Sequence, residues 1–363
     1  MHISIGAIDP IDTFALTKAV YEELKSILLS YSGVMPASLI EIGKAALSTP
    51  GKVMSTPFEG DSALVSAPRW PLAVALSYQA ASQPEERDNW IRAVPAAAAV
   101  EIAMAAADLL DELTDHDPSP LIEQYGPGQA LNAGNLMLVM AQQSLFRDAL
   151  ENGGAEGKAM SALDALQNML VEAAVGQHLD MLYERMGPAE VSIEMSNAMT
   201  QMKAGALISG ACRIGALTAG APAQVVELLA RFGREIGGIA QLENDLRDVL
   251  PFSALAGAAP NQQKTDLLLR KRTLPIVFTL HDDSEEPNAL QQAYSSNDMG
   301  NINEEHLRET VLAVGGIKFG ELVLSVHREN ALEALAELEE IRPGATAIVS
   351  PLLPKAPEAS LEI

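Results

Sequence analysis

One cysteine, Cys212, is all that the 363 residues contain, so no internal disulfide can form. Cysteine-rich zinc ligation and a redox pair are excluded with it. Aromatic residues are scarce as well, at 4 % against 48 % hydrophobic overall. Positive charge is the third shortage: 24 Lys and Arg face 48 Asp and Glu, a formal net charge of -24. That balance argues against a nucleic-acid backbone or an anionic membrane surface as the main partner. An anionic small molecule could bind only through local basic residues or bound metal. The N-terminus, MHISIGAIDPIDTF, lacks a basic segment followed by an apolar run, so no signal peptide is expected. Nor is any stretch expected to span a bilayer. Residues 91–107 come closest, but they are mostly alanine and carry Arg92 and Glu101. The expectation is a cytoplasmic protein without stable membrane insertion.

What the chain does contain is helix-forming residues in long blocks. Alanine, leucine, methionine and glutamate dominate, while alternating β-branched runs are scarce. Helices are expected over residues 11–31, 37–47, 69–82, 94–115, 128–151, 157–185, 192–219, 223–250, 264–281, 304–314 and 317–338. Clusters of Gly, Pro, Asp and Ser separate them. No composition break marks a domain boundary, so one helical domain is expected over residues 1–345, with 346–363 as a flexible tail. SEEPNALQQAYSSNDMGNINEE (284–305) is expected to be mobile too. Blocks such as AAAAVEIAMAAADLL and KAGALISGACRIGAL are lined with small side chains. Because empty volume is costly, helices built this way either pack tightly or enclose a ligand.

DLLDELTDHD (108–117) closes the first of these blocks. Asp111 and Asp115 are four residues apart, share a helix face and repel each other unless a cation lies between them. QLENDLRD (241–248) closes a later helix, pairing Asn244 with Asp248 at four residues and Asp245 with Asp248 at three. Oxygen-rich faces without cysteine and with little histidine suit Mg²⁺. Taken singly, either is equally a helix end emerging into water. Basic residues gather in KTDLLLRKRTLP (264–275), and Lys203 stands isolated in KAGAL (203–207). If metal on the acidic faces binds a diphosphate, such lysines would supply the remaining neutralisation. The bland alternatives are a solvated turn and a lysine that snorkels.

Together and in this order, the stretches resemble the trans-isoprenyl diphosphate synthases, the polyprenyl synthetase family, with some features similar to terpene cyclases. DELTD (111–115) stands where that family has DDxxD. QLENDLRD, preceded by FGREIGGIA (232–240), resembles its QxxDDxxD. GQHLD (176–180) is similar to GQxxD, KAGAL to KTGAL, and KTDLLLRKRTLP to KSDxxEGKxTLP. The resemblance covers roughly residues 65–335. It implies an all-α fold, a single large helical bundle of the isoprenoid synthase type around a central apolar cavity, and a homodimer.

It also implies three Mg²⁺ held against an allylic prenyl diphosphate. Asp111, Asp115 and Asn244 would ligate metal, with Asp245 and Asp248 as water-mediated partners. Lys203 and Lys264 would contact the diphosphate, Arg69 would be a further anion binder, and Gln241 would face the reacting carbons. Ionisation leaves an allylic carbocation that the apolar cavity protects from water. Ala107, Ala106 and Ala103, at four, five and eight residues before Asp111, replace the bulky floor that stops a growing chain in the family. Products of twenty carbons or more are implied, unless Met137, Met140 or Phe146 close the space.

Departures bear on the acceptor. The family's Gly-Gly-Lys-Arg element before RWPL (69–72) is replaced by EGDSALVSAP, which leaves Arg69. The Arg-Arg-Gly after the first motif is replaced by HDPSPLIEQYG. Asn244 opens the second motif as in cyclases, but Asp248 and Phe252 stand where the rest of the cyclase pattern would be. KAG replaces KTG, and Arg270 replaces the glycine before Lys271. The expected function is Mg-dependent prenyl transfer to isopentenyl diphosphate. Cyclisation, transfer to a non-diphosphate acceptor and an inactive partner subunit are the alternatives.

Overall fold

The structure, a computed structural model, describes residues 11–55, 69–115, 117, 119–151, 156–251, 265–296 and 303–355. Every regular element among them is helical. In chain order the α-helices are α1 (Thr13–Ser30), α2 (Ala37–Ala46), α3 (Arg69–Ala81), α4 (Val94–Asp115), α5 (Pro120–Tyr125), α6 (Pro127–Glu151), α7 (Glu156–Tyr183) and α8 (Ile193–Thr200). They continue as α9 (Ala206–Ala219), α10 (Ala223–Val249), α11 (Asp266–Leu269), α12 (Leu274–Leu280), α13 (Ala289–Ser295), α14 (Glu304–Val314), α15 (Gly316–Ile341) and α16 (Ala345–Val349). The chain divides into two compact units, residues 1–169, 208–233 and 333–363 in the first, 170–207 and 234–332 in the second.

In the first unit α4 is the central rod. Residues from Ala96 to Ala106 are all buried, and α1, α3 and α6 pack around them. Small side chains make this possible. At Gly134 of α6 an added Cβ would lie 2.9 Å from Leu110 of α4. At Gly215 of α9 it would overlap the Val74 carbonyl oxygen of α3. An apolar pocket remains beside α4, lined by Leu28, Tyr31, Gly43, Ile102, Met137 and Met140 among others, with room for about one water molecule. Ile102, not the alanine series, is the α4 side chain that lines it.

One sequence expectation needs correcting here. The helical stretch Pro84–Asp115 is long and apolar enough to cross a membrane, but 78 % of its most apolar window is buried inside the protein. Alanine-rich core helices reach that hydropathy because they are surrounded by protein on all sides.

The second unit has its own core, in which Leu242, Leu246, Leu267, Ile276, Tyr294 and Val311 are buried together. Its most distinctive element interrupts the helix expected over 192–219. After α8, residues Gln201–Gly205 form a π-helical turn before α9 begins. Glycines let neighbouring helices close on this turn. A Cβ at Gly176 of α7 would overlap the Lys203 backbone nitrogen, and one at Gly237 of α10 would lie 2.6 Å from the Ala204 oxygen.

The expected helix 264–281 is likewise two pieces. Arg270 adopts φ 61°, the left-handed region, which ends α11 before α12 starts. Within the segment expected to be mobile at 284–305, α13 is fixed by a capping box between Asn288 and Gln291. The tail expected from residue 346 begins instead inside α16, where Ala345, Ile348 and Val349 are buried. Glu339 accepts from the Gly344 and Thr346 amides at 2.6 and 2.9 Å and so caps that helix from a distance. These short elements rest on single capping side chains, which hydrophobic periodicity does not register.

Candidate functional site

The second unit gathers most of the chemistry. Asp180, near the end of α7, is buried and accepts from two lysine ammonium groups, Lys203 at 2.8 Å and Lys271 at 3.0 Å. Lys271 also pairs with Glu184 at 2.8 Å. Burial alone would raise the Asp180 carboxyl, but the two lysines hold it below its ordinary range. The π-turn presents Lys203, and the left-handed Arg270 turns the chain so that Lys271 reaches the same carboxylate. Arg270 is held by the Tyr294 and Ser296 carbonyls and stacks over the Tyr294 ring.

Four more residues surround this centre. Gln241 of α10 donates to Asp245 at 2.8 Å, one turn further along. Asp245 is buried, and desolvation raises its pKa to about 7. The Gln241 bond works against that shift, whereas Asp180 and Asp248 push it further up. Asp248 accepts the Asp266 backbone N–H at 2.6 Å, and burial raises its carboxyl as well. Asp266 is raised well above its ordinary value by burial, then by Asp245, Asp248 and Asp180. Carboxylates that destabilise one another in this way attract a cation. An all-oxygen donor set fits Mg²⁺ in kind. Among the described residues no three Asp, Glu, His or Cys side chains form a ready-made metal cage.

Asn244 is exposed, and its amide oxygen accepts from Arg247 at 3.0 Å. An amide oxygen carries two lone pairs, so Asn244 can accept from Arg247 and ligate a metal at the same time. Lys264 and Phe252 lie outside the described residues. Asp180, Lys271, Glu184 and Asp266 were given no site role from sequence. GQHLD and KTD were the signals that contained two of them.

In the first unit, Asp111 and Asp115 are half-buried on the last turns of α4, Ala103 and Ala106 are wholly buried, and Ala107 is half-buried. Met137 and Met140 are buried, but Phe146 is exposed. Arg69 opens α3 and is exposed. One residue here went unread in the sequence. Lys52, 5 % exposed, reaches Asp108 at 2.6 Å, three residues before Asp111 on the same face of α4. Its signal was the Gly51-Lys52 pair, with Gly51 at φ 86°.

Solved isoprenoid synthases share this fold. The polyprenyl synthetase from Streptomyces coelicolor A3(2) superposes with a TM-score of 0.71 at 23 % identity, over 94 % of this chain and 100 % of that one. A geranylgeranyl pyrophosphate synthase from Corynebacterium glutamicum, complexed with isoprenyl diphosphate and magnesium, superposes at 0.70 and 21 % identity, over 95 % of this chain and 98 % of that one. The all-α helical bundle of the isoprenoid synthase class is thereby established. Residues 69–311 match the polyprenyl synthetase family, and the chain belongs to it. A (2E,6E)-farnesyl diphosphate synthase from Mycobacterium tuberculosis is 32 % identical over 193 residues, 52 % of this chain and 51 % of that enzyme. The chain thus spans about half the length of that relative. A geranylfarnesyl diphosphate synthase from Natronomonas pharaonis is 27 % identical over 250 residues, 68 % of this chain and 67 % of that one.

Proposed function

We propose that the protein transfers an allylic prenyl group to isopentenyl diphosphate, giving a longer trans-prenyl diphosphate. Family membership supports prenyl-diphosphate chemistry in general. The observation that favours elongation over cyclisation is Lys52. Elongation needs basic residues for a second diphosphate, and Lys52 is an ammonium held at α4 beside the first acidic motif. Arg69 belongs to the same unit and adds a second cation. Lys52 would thus replace one of the basic residues that the sequence lacks at the family's acceptor elements.

In the first unit Asp111 and Asp115 on α4 would hold Mg²⁺, and in the second Asn244 on α10 would do so, with Asp245 and Asp248 as water-mediated partners. When bound it would supply the positive charge that makes diphosphate a good leaving group. An ammonium has three donors, so Lys203, the more exposed of the two lysines on Asp180, would contact the diphosphate without giving up that carboxylate. Gln241 anchors Asp245 through its side-chain amide nitrogen. The terpene-cyclase reading rests on Asn244 and on the lost basic elements at the acceptor site, and Lys52 weakens the second of these.

The deciding experiment incubates the protein with Mg²⁺ and allylic diphosphates of several lengths, with and without isopentenyl diphosphate. Longer linear diphosphates formed only in its presence are expected. Cyclic hydrocarbons formed without it would defeat the elongation reading. Calorimetry with pyrophosphate separates both from an inactive subunit, which would show no Mg-dependent binding. For products of twenty carbons or more the support is the small size of Ala103, Ala106 and Ala107 alone, because full burial of the first two is also what close helix packing gives. Ala106→Phe with Ala107→Phe should shorten them. A double variant as active on twenty-carbon diphosphate as its parent would place the tunnel elsewhere. Val171, Val175 and Leu182 form an exposed apolar stripe on α7, which supports a homodimer, to be checked by light scattering.

A further inference from the structure

Glu101 is a fully buried carboxyl outside the cluster described above. It lies on α4 two turns before Asp108. Its Oε1 accepts the Val53 backbone N–H at 2.7 Å, and its Oε2 is buried without a hydrogen-bond partner. Val53 directly follows Lys52, whose ammonium meets Asp108 on the same helix. A single helix therefore grips this short loop at two points, one backbone amide and one side chain. Between Gly51, already in the left-handed conformation, and Val53, the backbone of Lys52 has little freedom left.

A buried carboxylate costs more than an apolar side chain of the same size unless it satisfies something. What Glu101 satisfies is the one amide adjoining Lys52. Asp108, by contrast, is largely exposed and can turn into water, freeing the Lys52 ammonium for another anion.

We propose that Glu101 is a positioning residue for the acceptor diphosphate: by holding the Val53 amide it fixes Lys52 so that its ammonium meets the anion at the place taken here by the Asp108 carboxylate. The inference rests on Lys52 contacting the acceptor. Its gain is preorganisation, since a lysine already fixed in place loses less freedom when the anion binds.

The test is calorimetric binding of isopentenyl diphosphate without metal, together with hydrogen exchange of the peptide that contains Val53. Lys52→Ala and Glu101→Leu should each weaken binding at least about tenfold, and the double variant should be no weaker than either, because the two act as one unit. Glu101→Gln keeps an acceptor oxygen for Val53 and should bind within about twofold of the parent. Glu101→Leu should speed exchange at Val53, whereas Glu101→Gln should not. Gly51→Ala strains the same turn from the surface and should weaken binding even if Glu101→Leu fails to fold. Parent-like affinity in folded Glu101→Leu or in Gly51→Ala, or additive losses in the double variant, would overturn the proposal. If Lys52→Ala binds like the parent, the acceptor reading of Lys52 falls instead. Exchange then judges Glu101 alone: unchanged protection of Val53 in Glu101→Leu removes it, and faster exchange supports it.

Discussion

The two acidic helix ends look alike as strings and differ as environments. On α10, Asp245 is buried among Asp180, Asp248 and Asp266, with Lys203 and Lys271 drawn in to balance them. On α4, Asp111 and Asp115 remain half-exposed, and the buried Lys52 of the same unit pairs with Asp108. What separates them is glycine. Gly176 and Gly237 let two helices close on the π-turn, and only at that distance does Lys203 reach Asp180. Acid spacing announces that a face is oxygen-rich. The packing of small residues around it decides how close a buried lysine comes, as Lys203 does to Asp180.

Removing one partner from each end should make that difference measurable. Asp180→Ala leaves two ammonium groups of the second unit without their shared carboxylate, and Lys271 is buried. Breaking a buried pair from one side costs about 3 kcal/mol or more, which should show as a clear fall in the denaturation midpoint. Asp111→Ala and Asp115→Ala, on the open end of α4, should each change stability by less than about 1 kcal/mol and yet collapse turnover. Turnover within twofold of the parent in both would remove them from the metal site.

Gly176→Ala attacks the glycine explanation directly. A methyl group there overlaps the Lys203 backbone, not a flexible side chain, so α7 or the π-turn has to move. Overpacking of this kind costs about 1–3 kcal/mol, and the displaced Lys203 should also lower activity beyond what the stability loss explains. A melting curve and a rate indistinguishable from the parent would mean that the close approach matters to neither.

How much of this could be read from the chain follows the same division. Helix positions were legible because long blocks of alanine, leucine, methionine and glutamate bounded by Gly, Pro, Asp and Ser are a strong signal, as in α4, α10 and α15. Asp111, Asp115 and the 241–248 run were legible because their spacing is local. Asp180 was not, although it sat in a quoted motif, because its meaning comes from lysines 23 and 91 residues away. Lys52 escaped for the same reason, since it lies in a loop and its partner is on α4, far along the chain. The π-turn was hidden behind Gly205, which in a sequence reads simply as a weak point in a helix.

Glu101 sharpens the contrast from the α4 side through pH. Burial, only partly offset by Lys52 and the Val53 N–H, raises its pKa from 4.5 to about 7 in the folded protein. Below the lower value both folded and unfolded chains hold the proton. Between the two values the folded chain alone holds it, so stability falls as pH rises through that window and has been lost in full above 7. The loss is at most about 3 kcal/mol. Glu101→Gln cannot ionise, so its stability should drop less between pH 5 and pH 8 than the parent's. Denaturant midpoints with parallel pH dependence would show that the carboxyl keeps an ordinary pKa.

The smallest effect concerns the turn that brings Lys271 to Asp180. Arg270 occupies a left-handed position where the family resemblance has glycine, and a side chain there costs about 1–2 kcal/mol relative to glycine. The arginine recovers some of that through the Tyr294 and Ser296 carbonyls and the Tyr294 ring. Two substitutions separate the opposing contributions. Arg270→Ala loses the bonds and keeps the strain, whereas Arg270→Gly loses the bonds and relieves it. Glycine should therefore be more stable than alanine by about 1 kcal/mol, with the arginine parent close to glycine. The Lys271–Asp180 pair should survive in the glycine variant, leaving the pKa of Asp180 depressed as in the parent, which carboxyl NMR would report. If alanine matches glycine, the turn relaxes out of the left-handed region without a side chain to hold it, and Arg270 is the cause of that conformation rather than its tenant.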